Sequence, residues 1–448
     1  MSTLPVSVDR SDPRPLAVQL ADHVRRLVLE GTLLPETRLP SSRALARELG
    51  LARGTVEQAW DQLRAEGWLE ARRGSGSWVS GGAHTPSVRP RARPPASAPA
   101  PLVMLDAGTP WSPHQAPGHE MAGWRRAWRE VSAATPPRGY DDPRGLPALR
   151  TALAERISRT RGLQVDPDEV LITSGTTAGF RHLLAVVPRT PVALEDPGYR
   201  AAAATVLETG REIVDLPALA PVTDLGGCAA AYVTPAHQHP LGRVMPAEDR
   251  LALLEAARRA DALVIEDDYD SEFRYDVAPV PALAALDRER VALLGTASKS
   301  VLPSLRLGWM VVPAHLREAL DAYRSLTHDT APWPVQHAFT TLLGEGHVDA
   351  VVRAARRAYA ERAPRVVEAL SPHAQLAGPV AGMYSTWLMD EARAVRVHRR
   401  AEEAGYRVNL LSTYCRSARL SGLVVGFGGP TDAQLDTALR VLAAALAE

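Results

Sequence analysis

The chain has 448 residues, with 51 basic and 51 acidic side chains, 46% hydrophobic residues and two cysteines. That length and apolar content fit two or three folded units, and the balanced charge means that any nucleic-acid site must be local rather than a property of the whole chain. Cys228 and Cys415 are too few for a disulfide framework or a cysteine metal cluster. No metal is expected, and without a signal pattern or an apolar run of about 20 residues a cytoplasmic protein is expected.

One count stands apart. Lys299 is the only lysine, and every other basic residue is arginine. A guanidinium stays protonated and forms no Schiff base, so an amine that must attack a carbonyl has to be lysine.

In the first block Leu16, Leu20, Val24, Leu27 and Val28 recur at helical spacing, and Gly31 can stop that helix. Within LPSSRALARELG, Ser41 or Ser42 can cap a short helix through Leu49, ended by Gly50. A further helix is predicted over residues 55–66, with Val56, Ala59, Trp60 and Leu63 on one face. Two short helices joined by a tight turn make a helix-turn-helix. The stretch GWLEARRGSGSWVS then reads as a β-hairpin wing, with Arg72 and Arg73 at its tip, where phosphates would be met.

PLAVQLADHVRRLVLEG, LPSSRALARELGLARGTVEQAWDQLRAEGW and RRGSGSWVS together resemble the GntR-type winged helix, placing that domain at residues 1–79. The resemblance implies double-stranded operator DNA as partner. It puts Arg43, Arg53 and Thr55 on the DNA and makes Arg73 and Gly74 the wing contacts. Arginine suits both guanine readout and phosphate pairing. Glu57 is a departure, because it sets an acid on the groove side.

Residues 80–103 are rich in Pro, Ala, Gly and Arg with no apolar period, and read as a partly extended linker. Over 104–448 apolar strand-like runs alternate with helical periods, the pattern of an α/β unit with a mainly parallel sheet. A smaller subdomain is expected over about 331–448.

Five segments of this block carry chemistry. LITSGTTAGF runs a strand into Ser174, Gly175 and Thr176 at a helix start, which can cradle a phosphate. LEDPGYRAA sets Tyr199 after a turn, where it can stack on a flat ring or simply pack. YVTPAHQHPLG places His239 after a strand. LVIEDDYDSEFRY ends a buried strand in acids. There Asp267 can pair with a protonated pyridine nitrogen, and Tyr269 can hydrogen-bond a ring oxygen. VALLGTASKSVLPSLRLGWMVVP holds Thr296, Lys299 and Arg306, the arginine suited to phosphate by its fork geometry.

Taken together these segments resemble fold-type I pyridoxal 5'-phosphate (PLP) enzymes of the aspartate aminotransferase superfamily. More narrowly, TPAHQHPLGRVMP, EDDYDSEFRY and SKSVLPSLRLGWMVVP resemble the MocR/GabR regulators, in which a GntR winged helix is fused to that fold. The resemblance implies PLP on Lys299 as a Schiff base, Asp267 on the pyridine nitrogen, Tyr269 and His239 about the ring oxygen, and Tyr199 stacked. It also implies a phosphate held by Ser174, Gly175, Thr176, Thr296 and Arg306. Tyr140, in RGYDDPRGLPALR, would reach the partner subunit's site in a head-to-tail homodimer.

His239 departs from the asparagine of many aminotransferases. In LSGLVVGFGG, Val424 stands where related proteins often carry a carboxylate-binding arginine, with Arg419 nearby as a candidate effector contact. Three functions fit this set. One is a regulator that senses PLP or an amine or amino-acid effector with little turnover. The others are an aminotransferase with an accessory DNA-binding domain and a repressor whose larger domain only dimerises.

Overall fold

The computed structural model describes residues 4–72, 76–81, 102–112, 121–275 and 280–448. Arg73 and Gly74, expected as wing contacts, lie outside the described residues, as does most of the expected linker. The chain divides into two compact units, Met1–Ala98 and Pro99–Glu448.

In the first unit the helix Leu16–Leu29 packs on a helix-turn-helix formed by Ser42–Leu49 and Arg53–Ala65. Leu20, Val24, Leu45, Val56 and Leu63 are fully buried between the helices, each contributing roughly 1.5–3 kcal/mol. Ser41 is the cap: its Oγ accepts from the Ala44 amide at 3.2 Å, and Gly50 closes the helix in the left-handed region. The next helix begins at Arg53, two residues before the expected start. Its first turn, Arg53-Gly54-Thr55, is polar, and apolar periodicity cannot mark such a turn.

Strands Leu69–Arg72 and Gly76–Val79 pair antiparallel as the predicted hairpin. Arg72 is the last residue of its strand, in the closing pair with Gly76. It is ion-paired to Glu70 at 2.7 Å and Glu36 at 3.0 Å, with its guanidinium 4.9 Å from the Trp78 ring centroid.

In the second unit a seven-stranded sheet runs in the order Val170–Thr173, Gly308–Val311, Val291–Thr296, Leu263–Asp268, Ala230–Val233, Val192–Asp196, Ile213–Pro217. The five strands from Val291–Thr296 to Ile213–Pro217 are mutually parallel, and Gly308–Val311 is antiparallel to both its neighbours. VALED, AAYV and LVIEDD read as near-continuous apolar runs because helices cover both faces. The carboxyl ends of these three strands and of Val291–Thr296, at Asp196, Val233, Asp268 and Thr296, share one edge, where open α/β sheets bind ligands.

A five-stranded sheet forms the smaller subdomain, in the order Gln375–Leu376, Tyr384–Leu388, Gly422–Gly426, Tyr406–Leu410, Val103–Leu105. Its edge strand begins at Val103, inside the stretch expected as linker, and pairs parallel with Tyr406–Leu410. That pairing carries Asp106 and Gly108 to the mouth of the large sheet. At Gly426 an added Cβ would lie 1.8 Å from the Asp106 carbonyl oxygen, so only glycine admits the crossing.

Candidate functional site

A cavity of about 430 Å³ opens at the carboxyl edge of the large sheet. Gly175, Thr176, Tyr199, His239, Asp267, Tyr269, Thr296, Lys299 and Arg306 line it, nine of the residues singled out from sequence.

One end is built for an anion. Gly175 has φ +108° and starts the helix Thr176–Val186, so first-turn amides face the cavity. A Cβ on Gly175 would lie 3.3 Å from Arg306 Nη2, and one on Gly308 would lie 2.9 Å from the Gly175 backbone. Two glycines therefore let the loop close on the arginine. Thr296 Oγ1 accepts from the Ser298 amide at 3.1 Å and fixes the turn after the strand.

The middle holds the lysine and the acid. Lys299 Nζ donates to the Gly108 carbonyl at 2.5 Å. Burial pulls its pKa down, while Asp270, Asp106 and Asp267 oppose that pull. The Asp267 side chain is buried. Tyr232 donates to its Oδ2, and its Oδ1 has no hydrogen-bond partner among the described residues. Burial pushes Asp267 up to about 7; Asp268 and Asp270 push the same way, while the Tyr232 hydroxyl and Lys299 pull it down. An orphaned carboxylate oxygen in a cavity wall is a seat for a cation or an N–H donor.

Aromatic rings surround His239. Tyr414, Tyr384, Tyr269 and Tyr199 stand edge-on to it with centroids at 5.2, 5.6, 5.8 and 5.9 Å. Burial, with Lys299, His237 and Arg200 nearby, pulls its pKa to about 3, so it is neutral at any physiological pH. The Tyr269 hydroxyl donates to the His237 carbonyl at 2.9 Å and lies 2.8 Å from the Tyr384 hydroxyl. Behind it, His237 Nδ1 is 2.6 Å from Asp270 Oδ2.

Three expected site residues stand apart from the cavity wall. Ser174 Oγ donates instead to Asp329 at 3.1 Å, and Asp329 is also 2.9 Å from His182 Nε2, so Ser174 braces the loop from behind. Tyr140 is 83% exposed and stacks on His328, centroids 4.1 Å apart. Arg419 is exposed. Val424 is fully buried in its strand, opposite Thr386 and Asn409.

Sequence reasoning passed over Asp106, Thr177, Arg200, Asn409 and Tyr414, which also line the cavity. Arg200 comes directly after Tyr199, and that adjacency could have found it. Asp106, Asn409 and Tyr414 arrive through pairing between distant strands and carry no local signal.

In the first unit Arg43 and Arg53 are exposed and Thr55 is half-buried. Arg53 Nε donates to Glu57 Oε1 at 2.8 Å, and Ser42 Oγ donates to the same oxygen at 3.3 Å. No helix among the described residues is long and apolar enough to cross a membrane, and no cluster among them is suited to a metal ion.

Residues 16–79 match the bacterial regulatory proteins of the gntR family, and residues 103–442 match aminotransferase class I and II. The chain is 34% identical over 458 residues to the HTH-type pyridoxine biosynthesis transcriptional regulator PdxR of Corynebacterium glutamicum, covering 99% of this chain and 98% of that one. It is 35% identical over 383 residues to the probable rhizopine catabolism regulatory protein MocR of Rhizobium meliloti, covering 79% and 77%. Among solved structures, an archaeal alanine:glyoxylate aminotransferase superposes with TM-score 0.68 at 24% identity, over 77% of this chain and 90% of that one. An aminotransferase from Mycobacterium tuberculosis gives 0.67 at 24%, over 78% and 92%. These structures share the fold of the larger unit.

The chain therefore belongs to the MocR-type family of transcriptional regulators, in which a GntR DNA-binding domain is fused to an aminotransferase class I and II domain. It is a DNA-binding regulator, and PLP is the cofactor of its larger domain. The cavity fits that cofactor: one lysine, an orphaned oxygen on Asp267, and a glycine-lined anion cradle closed by Arg306.

Proposed function

We propose that the larger domain serves as a sensor for a small amine and sets the affinity of the winged helix for its operator, with little or no turnover. PLP, when bound, supplies an aldehyde that a primary amine can attack and a ring that withdraws electrons. Lys299 would hold it covalently. Asp267 would keep the ring nitrogen protonated, and Tyr199 would cover the ring face. Gly175, Thr176, Thr296 and Arg306 would hold the phosphate, with Ser174 acting through Asp329 to steady their loop. His239, neutral and enclosed by tyrosines, would fill the wall beside the ring without adding charge.

The observation that carries the sensing role is the pairing of this complete cofactor set with the buried Val424 in the position where related proteins often place the carboxylate-binding arginine. Transamination needs the Cα–H bond held perpendicular to the ring, and an arginine clamp at that place is the usual means. Tyr140, exposed on its own chain, supports a homodimer in which it serves the partner's site. An effector would act by binding two arrangements of such a dimer unequally.

The test is paired. Holo-protein is incubated with amino acids and a keto acid while conversion of the cofactor is followed by absorbance, and operator affinity is measured with and without PLP. The expected results are slow or single turnover and an operator affinity that depends on PLP. Repeated rapid turnover with operator affinity indifferent to PLP would instead make the protein an enzyme with an accessory DNA-binding domain.

A further inference from the structure

The acidic and basic side chains lining the cavity are Asp106, Arg200, Asp267, Lys299 and Arg306. Asp267, Lys299 and Arg306 hold PLP in the proposed function, and the role inferred for Arg200 rests on that reading. Asp106 is committed to its own turn: its Oδ1 accepts from the amides of Gly108 and Thr109 at 2.8 and 2.7 Å. Arg200 is left over. Among the described residues its guanidinium has no hydrogen bond and no acidic partner. Its guanidinium lies over the Tyr414 ring, 5.2 Å from the centroid.

We propose that Arg200, seated on Tyr414, binds the carboxylate of the amine effector from the helix after Tyr199 rather than from the strand that carries Val424, so the carboxylate is recognised without the placement that a clamp at position 424 gives in transamination. A guanidinium stacked on an aromatic face keeps its in-plane N–H edge free, and that edge is the fork that grips a carboxylate through two parallel hydrogen bonds. Tyr414 adds a second donor. Its hydroxyl accepts from Asn409 Nδ2 at 2.7 Å, so its own proton is available to an incoming anion. Asn409 is the register partner of Val424 on the neighbouring strand. The polar groups for a carboxylate thus come from Arg200, Tyr414 and Asn409, while position 424 itself stays apolar.

Charge points the same way. With a phosphate on Arg306 and a ring nitrogen on Asp267, the guanidinium of Arg200 is the cation without a counter-charge. Its field also reaches inward, since it helps keep His239 neutral. The effector class selected by such a site is a primary amine carrying one carboxylate. Arg419, exposed and outside the cavity lining, has no part in it.

The test uses full-length holo-protein. The visible cofactor band is titrated with L-alanine, β-alanine and 4-aminobutyrate, and with ethylamine and n-propylamine as carboxylate-free counterparts. Wild type is expected to bind at least one of the amino acids about tenfold or more tightly than its counterpart amine, an increment of about 1.4 kcal/mol. Arg200→Gln should abolish that preference, Arg200→Lys should keep part of it, and Arg419→Gln should leave it intact. If Arg200→Gln loses the band, the lysine variant carries the comparison. A preference that survives in the Arg200 variants, that vanishes in Arg419→Gln, or that wild type lacks for every probe overturns the proposal. Absence of a cofactor band fixed on Lys299 by borohydride in wild type would instead overturn the cofactor reading, so the two failures are distinguishable.

Discussion

Arg53 and Glu57 form an ion pair one turn apart on the helix Arg53–Ala65, Nε to Oε1 at 2.8 Å, with both side chains partly open to solvent. An exposed pair of this kind adds little to stability, about 0.3–0.5 kcal/mol. If Arg53 meets the operator, as the proposed site has it, the carboxylate competes with phosphate and base edges for the same guanidinium. Glu57→Gln should therefore tighten operator binding and steepen the dependence of log affinity on log salt by about one. Arg53→Ala should weaken binding by about 1–3 kcal/mol and relax preference at one base position. Fluorescence anisotropy over a salt series reads both. Glu57→Gln binding more weakly than wild type would show that the acid itself contacts a base.

Asp267 gives a pH dependence whose sign is fixed. Burial raises its folded pKa to about 7 from the ordinary 3.8. Between those values the folded apo-protein holds a proton that the unfolded chain has lost. Stability from this group is full below about pH 3.8, falls as pH rises to 7, and is flat above. Asp267→Asn removes the dependence. The apo-variant should melt higher than apo wild type at pH 8, by an increment on the order of 2 kcal/mol or more, with the gap closing toward pH 4. Glu195, also raised to about 7 by burial, is pushed further by Asp267, so Asp267→Asn relieves it as well and the difference keeps the same sign. With PLP present the order should reverse at pH 8, because only the carboxylate can pair with a protonated ring nitrogen.

The architecture was largely legible in the sequence because its signals are local. The cap at Ser41, the stop at Gly50, the apolar face from Val56 to Leu63 and the strand ends at Asp268 and Thr296 are all set within a few residues. What escaped depends on pairing across the chain. The expected linker hid the start of the strand Val103–Leu105, whose partner lies at Tyr406–Leu410. Without that pairing Asp106 cannot be placed, nor can Asn409 and Tyr414 be seen to share its cavity. The bond from the Ser174 hydroxyl to Asp329 could not be read for a similar reason, since that partner is far along the chain. The ion pairs of Arg72 with Glu36 and Glu70 were likewise hidden, because a hairpin's register cannot be read from composition alone.

Tyr140 makes the subunit arrangement testable. It is 83% exposed and does not line the cavity of its own chain. If it completes the site of a partner subunit, Tyr140→Ala should weaken PLP binding about tenfold, one hydrogen bond's worth. Mixing Tyr140→Ala with Lys299→Ala chains should then recreate a tight class of sites, each with its lysine from one parent and its tyrosine from the other. Titration of the mixed dimers with PLP measures that class. Its failure to appear, with chain exchange verified by mass spectrometry, would place each site within a single chain.

Asp196 joins the two sheets of the larger unit. It ends the strand Val192–Asp196, and its Oδ1 accepts from the Arg416 amide at 2.8 Å. Its Oδ2 accepts from the Ser417 amide at 2.7 Å, the Ser417 hydroxyl at 2.9 Å and the Ala418 amide at 2.7 Å. Burial alone would raise this carboxyl, but the amides of Arg416, Ala418 and Ser417 together pull it below the ordinary 3.8. The stability it contributes is thus present above pH 3.8 and lost as pH falls through the folded value, opposite in sign to Asp267. The segment it holds comes just after Tyr414, the ring beneath Arg200. Asp196→Ala strands three amide donors and should destabilise the larger unit by about 2–4 kcal/mol at pH 7, measured by urea denaturation. Asp196→Asn keeps one acceptor oxygen and should lose about half as much. Near pH 3 the difference between wild type and Asp196→Asn should shrink. The cavity should register the same change: with Tyr414 less firmly held, amino-acid binding should weaken in both variants while the PLP band persists. Equal stability of all three proteins at pH 7 would show that the loop after Tyr414 holds its place without the carboxylate.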